Sequence, residues 1–109
     1  MSPKSRVTRS SGNVFKDLGL PNPDEFLVKA ELVRQISEIV DERGLTQTAA
    51  ARLLGTTQPK VSAMLRGHLD GFSMERLIRF LNALNRDVEI VVREAPRGRK
   101  HGNVSIVAA

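Results

Sequence analysis

Residues 46–67 read TQTAAARLLGTTQPKVSAMLRG, two short helical stretches separated by a glycine. Thr46 can cap the first, which runs through Gln47 to Leu54, and Gly55 breaks it. The second opens at Thr57 or Gln58 and runs to about Arg66. Pro59 is harmless there, because first-turn amides have no helical partner. Ala51 is small enough for a second helix to cross closely over the first. Four positions later Gly55 can make the turn with a positive φ. Six positions further, the branched Val61 can lock the second helix against the first. Ala50, Leu54 and Met64 supply the remaining inward positions. An ordinary helical hairpin needs only the glycine. The small, turn-making and branched residues at these fixed offsets describe a helix-turn-helix.

N-terminal to this motif, Asn22, Pro23, Asp24 and Glu25 form a helix start, with a cap, a first-turn proline and acids that suit the positive end of the helix dipole. Phe26, Ala30, Val33, Ile36 and Val40, flanked by Leu27, Leu32 and Ile39, recur at helical spacing and predict an inward face. Gly44 can end this helix in a left-handed conformation. After a loop over residues 67–71, Ser73 caps a fourth helix with Leu77, Ile78, Leu81 and Leu84 inside. Beyond Asn85 the period changes to two. Val88, Ile90 and Val92 alternate with Glu89, Val91 and Arg93, which predicts a strand. Residues 104–107 are a candidate second strand across a basic loop. The short apolar patch at residues 13–20 reads as an ordered arm. The expected organisation is a basic N-terminal segment and arm (1–21), a helix-turn-helix domain (22–86), a dimerisation strand (87–94) and a basic C-terminal tail (95–109). The fold class is mainly α, with four or five helices and a C-terminal strand.

The 109 residues suffice for one domain. The four aromatic residues are all Phe and there is no Cys, so neither disulfides nor thiolate metal sites are available. The first 13 residues lack the apolar core of a signal peptide, and no apolar run approaches the roughly 18 residues of a membrane span. A cytoplasmic location is expected. Net charge is +5, unevenly spread. Residues 24–43 hold six acidic and three basic side chains, whereas residues 95–109 hold three basic and none acidic. Basic ends and a basic middle suit a polyanion, because neutralised phosphates release counterions, although basic tails are also commonly just solvated.

An enzyme would need a nucleophile, a base or a metal cluster. His68 lies in a loop and His101 in the tail, and His68 beside Asp70 suggests a loop hydrogen bond rather than a dyad. Residues 98–102 lack the spacing of a phosphate-binding loop. No catalytic residue, metal site or cofactor is expected.

Thr46, Gln47, Ala51, Leu54, Gly55, Thr56, Thr57, Gln58, Val61, Ser62, Arg66 and Gly67 together resemble the helix-turn-helix of the Cro/phage-repressor (XRE) family. Gly12 to Phe15, Gly71 to Ser73 and the strand at 87–93 resemble one branch of it, the HigA-like antitoxins often encoded beside a RelE/HigB-type ribonuclease toxin. The likeness spans roughly residues 12–94. Pro59 departs from the family, where a polar side chain often stands.

The resemblance implies a transcriptional regulator whose third helix enters the major groove with its N-terminal end. Gln58 is the natural base reader, since its amide can pair with adenine through two hydrogen bonds. Lys60, Ser62 and Arg66 can reach phosphates or base edges. Gln47 resembles the family residue that clamps the DNA backbone, and Thr57 adds a contact. Thr57 as a mere cap, and Arg66 bound only to the last carbonyls, are the competing readings. The isolated strand predicts a homodimer through Val88, Ile90 and Val92, and hence a near-palindromic operator. The antitoxin likeness implies a RelE/HigB-like toxin partner, for which Glu31, Glu38, Asp41 and Glu42 offer an acidic face. The alternatives are a plain repressor and a protein-binding module that uses the motif as scaffold.

Overall fold

The computed structural model describes residues 5–6 and 23–108. It contains four helices among them: α1 (Pro23–Glu42), α2 (Gln47–Leu54), α3 (Gln58–Leu65) and α4 (Met74–Ala83). Two two-residue strands, β1 (Ser5–Arg6) and β2 (Ser105–Ile106), pair antiparallel, with Ser5 opposite Ile106 and Arg6 opposite Ser105. The predicted arm at 13–20 and the Asn22 cap lie outside the described residues. The mainly helical class with a short C-terminal strand is the one expected.

The chain divides into two compact units, Lys29–Val88 and a second formed from Met1–Val28 with Glu89–Ala109. In the first, α1 contributes Leu32, Val33, Ile36, Ile39 and Val40 to the core, a single stripe of a 3.6-residue helix. From α4 come Leu77, Phe80, Leu81 and Leu84. Ile78 is only half-buried. Arg43, just past α1, donates from Nη2 to the Leu84 carbonyl at 2.6 Å, joining the C-terminal ends of the two helices. Phe26, expected inside, is 50% exposed, and Leu27 is 63% exposed. Apolar residues occur on several sides of the first turns of α1, so periodicity there does not choose a face. Val28 is the buried one.

All four helices stop in the same way. The carbonyls of Val40, Ala51, Ala63 and Leu81 each accept from the amide five residues on, and each time the residue just before that donor has a positive φ. Gly44, Gly55 and Gly67 hold three of these places and Asn85, with φ 64°, the fourth. This is the Schellman closure, which satisfies carbonyls the helix itself leaves open.

Residues 87–94 do not form the predicted strand ladder. Val91 makes a single bridge there and is buried, while Ile90 and Val92 stand out to solvent at 55% and 75% exposure. Val91 is thus the phase buried within the single chain, and Val88, Ile90 and Val92, expected to form the face shared by two copies, fall on the other phase. Four apolar residues in the five from 88 to 92 leave both phases chemically possible, and tertiary packing selects the odd one. The second candidate strand does form at Ser105–Ile106, but its partner is Ser5–Arg6 and not the 87–94 segment.

Candidate nucleic-acid interface

Helix α2 begins where Thr46 turns its Oγ1 back to accept from the Ala49 amide at 3.0 Å. Helix α3 begins likewise at Thr57, whose Oγ1 accepts from the Lys60 amide at 3.4 Å, with Pro59 in its first turn. Between them Gly55 sits at φ 72°, ψ 33°, a conformation that costs an L side chain roughly 1–2 kcal/mol. Ala50 and Val61 are fully buried, Ala51 is nearly so, and α2 and α3 pack directly on each other. Met64 is likewise fully buried, and Leu54 is buried. The inward set of the motif is therefore the one read from the offsets.

The tight turn brings the two helix starts together. Gln58, exposed at the first position of α3, donates from Nε2 to Oε1 of Gln47, the first residue of α2, at 2.6 Å. This contact spans 11 residues of sequence and depends on the packing of the two helices on each other. It leaves the Gln58 carbonyl oxygen, one Gln58 amide proton and the Gln47 amide nitrogen without a partner among the described residues. Neither α2 nor α3 carries an acid in its first turn, whereas α4 has Glu75 there. The positive ends of two helix dipoles thus lie without a carboxylate to offset them, an arrangement that favours anions.

The remaining expected site residues are spread along α3. Lys60 is exposed and its ammonium makes no ion pair with any described residue. Thr57 is exposed, but its hydroxyl is occupied as the cap. Ser62 is half-buried. Arg66 folds its Nε back onto the Ser62 carbonyl at 3.3 Å, so in the free protein it pairs with a carbonyl of its own helix. Gln47 and Gln58 therefore form the N-terminal pair, Lys60 stands two residues further along α3, and Ser62 and Arg66 follow at about one and two turns from Gln58.

Sequence reasoning missed Arg76. Its guanidinium lies 5.6 Å from the Phe72 ring centre and 5.7 Å from that of Phe80, and its Nη2 donates to Thr56 Oγ1 at 3.4 Å. Thr56 follows the turn glycine, so Arg76 ties the start of α4 to the turn between α2 and α3. The signal lay in Phe72, Arg76 and Phe80 at intervals of four, one face of a helix and its lead-in. His68 is exposed and has no side-chain bond to Asp70, contrary to expectation; its backbone amide instead closes α3 on Ala63. The acidic face of α1 is also altered, because Arg34 sits between Glu31 and Glu38 and pairs with both. The Arg34 hydrogen bond is the main cause that holds the Glu31 carboxyl below its ordinary pKa. Asp41 and Glu42 remain exposed.

Among the described residues no group of His, Asp or Glu is placed to hold a metal ion, and no helix is long and apolar enough to cross a membrane. A helix-turn-helix domain family matches residues 14–93. None of the curated proteins matches the chain. A solved structure described as an XRE family transcriptional regulator is 47% identical, with a TM-score of 0.76 over 82% of this chain and 100% of that one. The match spans the caps, the turn and the crossing of α2 and α3, and the chain belongs to the XRE family of helix-turn-helix transcriptional regulators.

Proposed function

We propose that the protein is a sequence-specific repressor that lays the N-terminal end of α3 in the major groove of double-stranded DNA. The observation that carries this reading is the Gln47–Gln58 amide pair at two acid-free helix starts. Gln47 fixes the Gln58 side chain so that its remaining donor and acceptor can meet the N7 and N6 edge of adenine. The free amide of Gln47 and the start of α2 then face a phosphate. Lys60 and Thr57 add backbone contacts, and Ser62 and Arg66 serve the same face once Arg66 leaves its carbonyl. The test is titration of the DNA upstream of its own reading frame at several salt concentrations. Tight binding that weakens linearly with log salt supports the reading. Absence of salt-dependent binding would leave a protein-binding module built on the same scaffold. A repressor acting on such DNA works in the cytoplasm.

The protein acts as a homodimer joined through residues 87–94. Ile90 and Val92 are exposed apolar side chains on a segment with a single bridge, so an apolar face is open to a second copy. Val88 is half-buried and continues the same alternation. Two recognition helices would then read half-sites about 34–36 Å apart in a near-palindromic operator.

The finer role is that of an autorepressing antitoxin that also neutralises a RelE/HigB-like ribonuclease. It rests on the family likeness and on Asp41 and Glu42, acids able to oppose a basic RNA-holding surface. Glu31 and Glu38 contribute less, since Arg34 pairs with both and offsets one of their two charges. Co-expression with the neighbouring gene product is the test: a stable complex supports the antitoxin, and none leaves a plain repressor.

A further inference from the structure

Residues 93–102 carry Arg93, Arg97, Arg99 and Lys100 against the single acid Glu94. The helix-turn-helix makes no use of them. Their backbone is organised: the Arg99 amide donates to the Pro96 carbonyl at 3.4 Å, and Gly98 stands at φ 93°, as the third position of a type II turn requires. Pro96 fixes its own φ and restricts Ala95, so the approach to the turn is stiff. With its side-chain amide turned end for end, Asn103 can close the far side, its oxygen accepting from Arg99 Nη1 and its nitrogen donating to the Gly102 carbonyl. Arg97 at the tip and Lys100 after it are exposed, and neither pairs with an acid among the described residues. Arg97 is flanked in the turn by the short Pro96 and Gly98, while Arg99, the fourth member, is half-buried.

We infer that the turn at residues 96–100 is a second DNA-binding element, which inserts Arg97 into the minor groove of A·T-rich sequence flanking the operator while Lys100 meets the adjoining phosphate. Three features favour the groove over general attraction to phosphate. A·T tracts narrow the minor groove and deepen its negative potential, and arginine is the side chain most drawn there. An arginine flanked directly by Pro96 and Gly98 can reach into a groove about 6 Å wide. A preformed turn loses less conformational freedom on binding than a loose basic tail. The inference rests on the DNA-binding reading and adds base-composition preference outside the half-sites.

The test uses the full chain and its own upstream DNA, footprinted first, then rewritten with A·T-rich or G·C-rich flanks around the protected core. Wild type should prefer the A·T-flanked fragment. The double variant Arg97→Ala, Lys100→Ala should bind it roughly tenfold more weakly, a loss the size of one specific DNA contact, and should show no flank preference. Arg97→Lys should keep the salt dependence but lose most of the preference. Both positions are exposed, and unchanged thermal unfolding checks that the variants fold. Equal binding by the double variant, or a uniform loss with preference intact, would overturn the groove assignment. So would equal binding of the wild type to both flanks, or tighter binding to RNA of the same sequence than to the duplex. Gln58→Ala separates the two levels. If it abolishes core recognition while the double variant behaves as wild type, only the minor-groove element falls. If wild type binds none of the fragments, the DNA-binding reading falls with it.

Discussion

Gln58 donates to Gln47 at 2.6 Å across the mouth of the helix-turn-helix, so the residue best suited to read a base is held by the residue best placed to meet the backbone. Two such coupled side chains should not act additively. Gln58→Ala should cost about 1–3 kcal/mol of operator affinity and relax preference at one base pair. Gln47→Ala should cost less but remove part of the Gln58 selectivity, and the double variant should lose at least about 0.5 kcal/mol less than the sum of the singles. Titrations of the four proteins on one fragment measure this. Strict additivity would mean that the amide contact does not orient Gln58 on DNA.

Lys60 bears on affinity in a different way. Its exposed ammonium has no acid to leave, so Lys60→Ala should weaken binding to all sequences alike. Removing one phosphate-neutralising charge should also make the salt slope shallower by about 1. A change in sequence preference instead would place Lys60 on a base edge.

Gly55 and Asn85 close different helices with the same backbone geometry but different side chains. Nothing lies within 4 Å of a Cβ built on Gly55, so the cost of Gly55→Ala is conformational alone. It should lower stability by about 1 kcal/mol, and bring a lower melting temperature with the fold retained. Asn85→Gly relieves the same strain at φ 64° and should be neutral to slightly stabilising. Thermal unfolding of the two variants side by side decides it.

Ile90 is 55% exposed, so Ile90→Asp should leave the subunit folded while removing an apolar contact from the dimer. Sedimentation should show a monomer, and operator affinity should fall steeply because two half-sites are no longer read together. A folded variant that stays dimeric and binds normally would move the interface off residues 87–94.

Glu31 gives a pH signature to α1. Its folded pKa lies below the ordinary 4.5, chiefly because Arg34 donates to the carboxylate. A lowered carboxyl pKa contributes stability above the ordinary value, and that contribution is lost as pH falls through the folded value. Acid unfolding below about pH 4.5 should therefore be shallower in Glu31→Gln than in wild type. Parallel acid titrations followed by circular dichroism check the slope.

The helices and the motif were legible in the sequence because their determinants are local. Thr46, Thr57 and Ser73 each cap the helix that follows, and each accepts from the amide three residues on, since a hydroxyl at that position has a nearby orphan amide to meet. Gly44, Gly55 and Gly67 stop helices by their own conformational freedom. The burial of Ala51, Val61 and Met64 followed from fixed offsets around that turn.

What only the tertiary structure decided are choices between faces and between partners. Val91 and not Ile90 is buried, although alternation allows either, because the inward phase depends on what packs against the segment. Ser105 and Ile106 pair with Arg6 and Ser5, a contact between chain ends that no local pattern encodes. Gln47 and Gln58 meet because α2 and α3 pack on each other, and Arg76 reaches Thr56 because α4 folds back beside them. Arg34 offsets one of the two charges of Glu31 and Glu38 by standing one turn from each, where a flexible guanidinium can bond both carboxylates at once. Caps and turns are settled within a few residues of backbone, whereas a buried phase, a strand partner or an amide pair is settled by whichever distant surface arrives there.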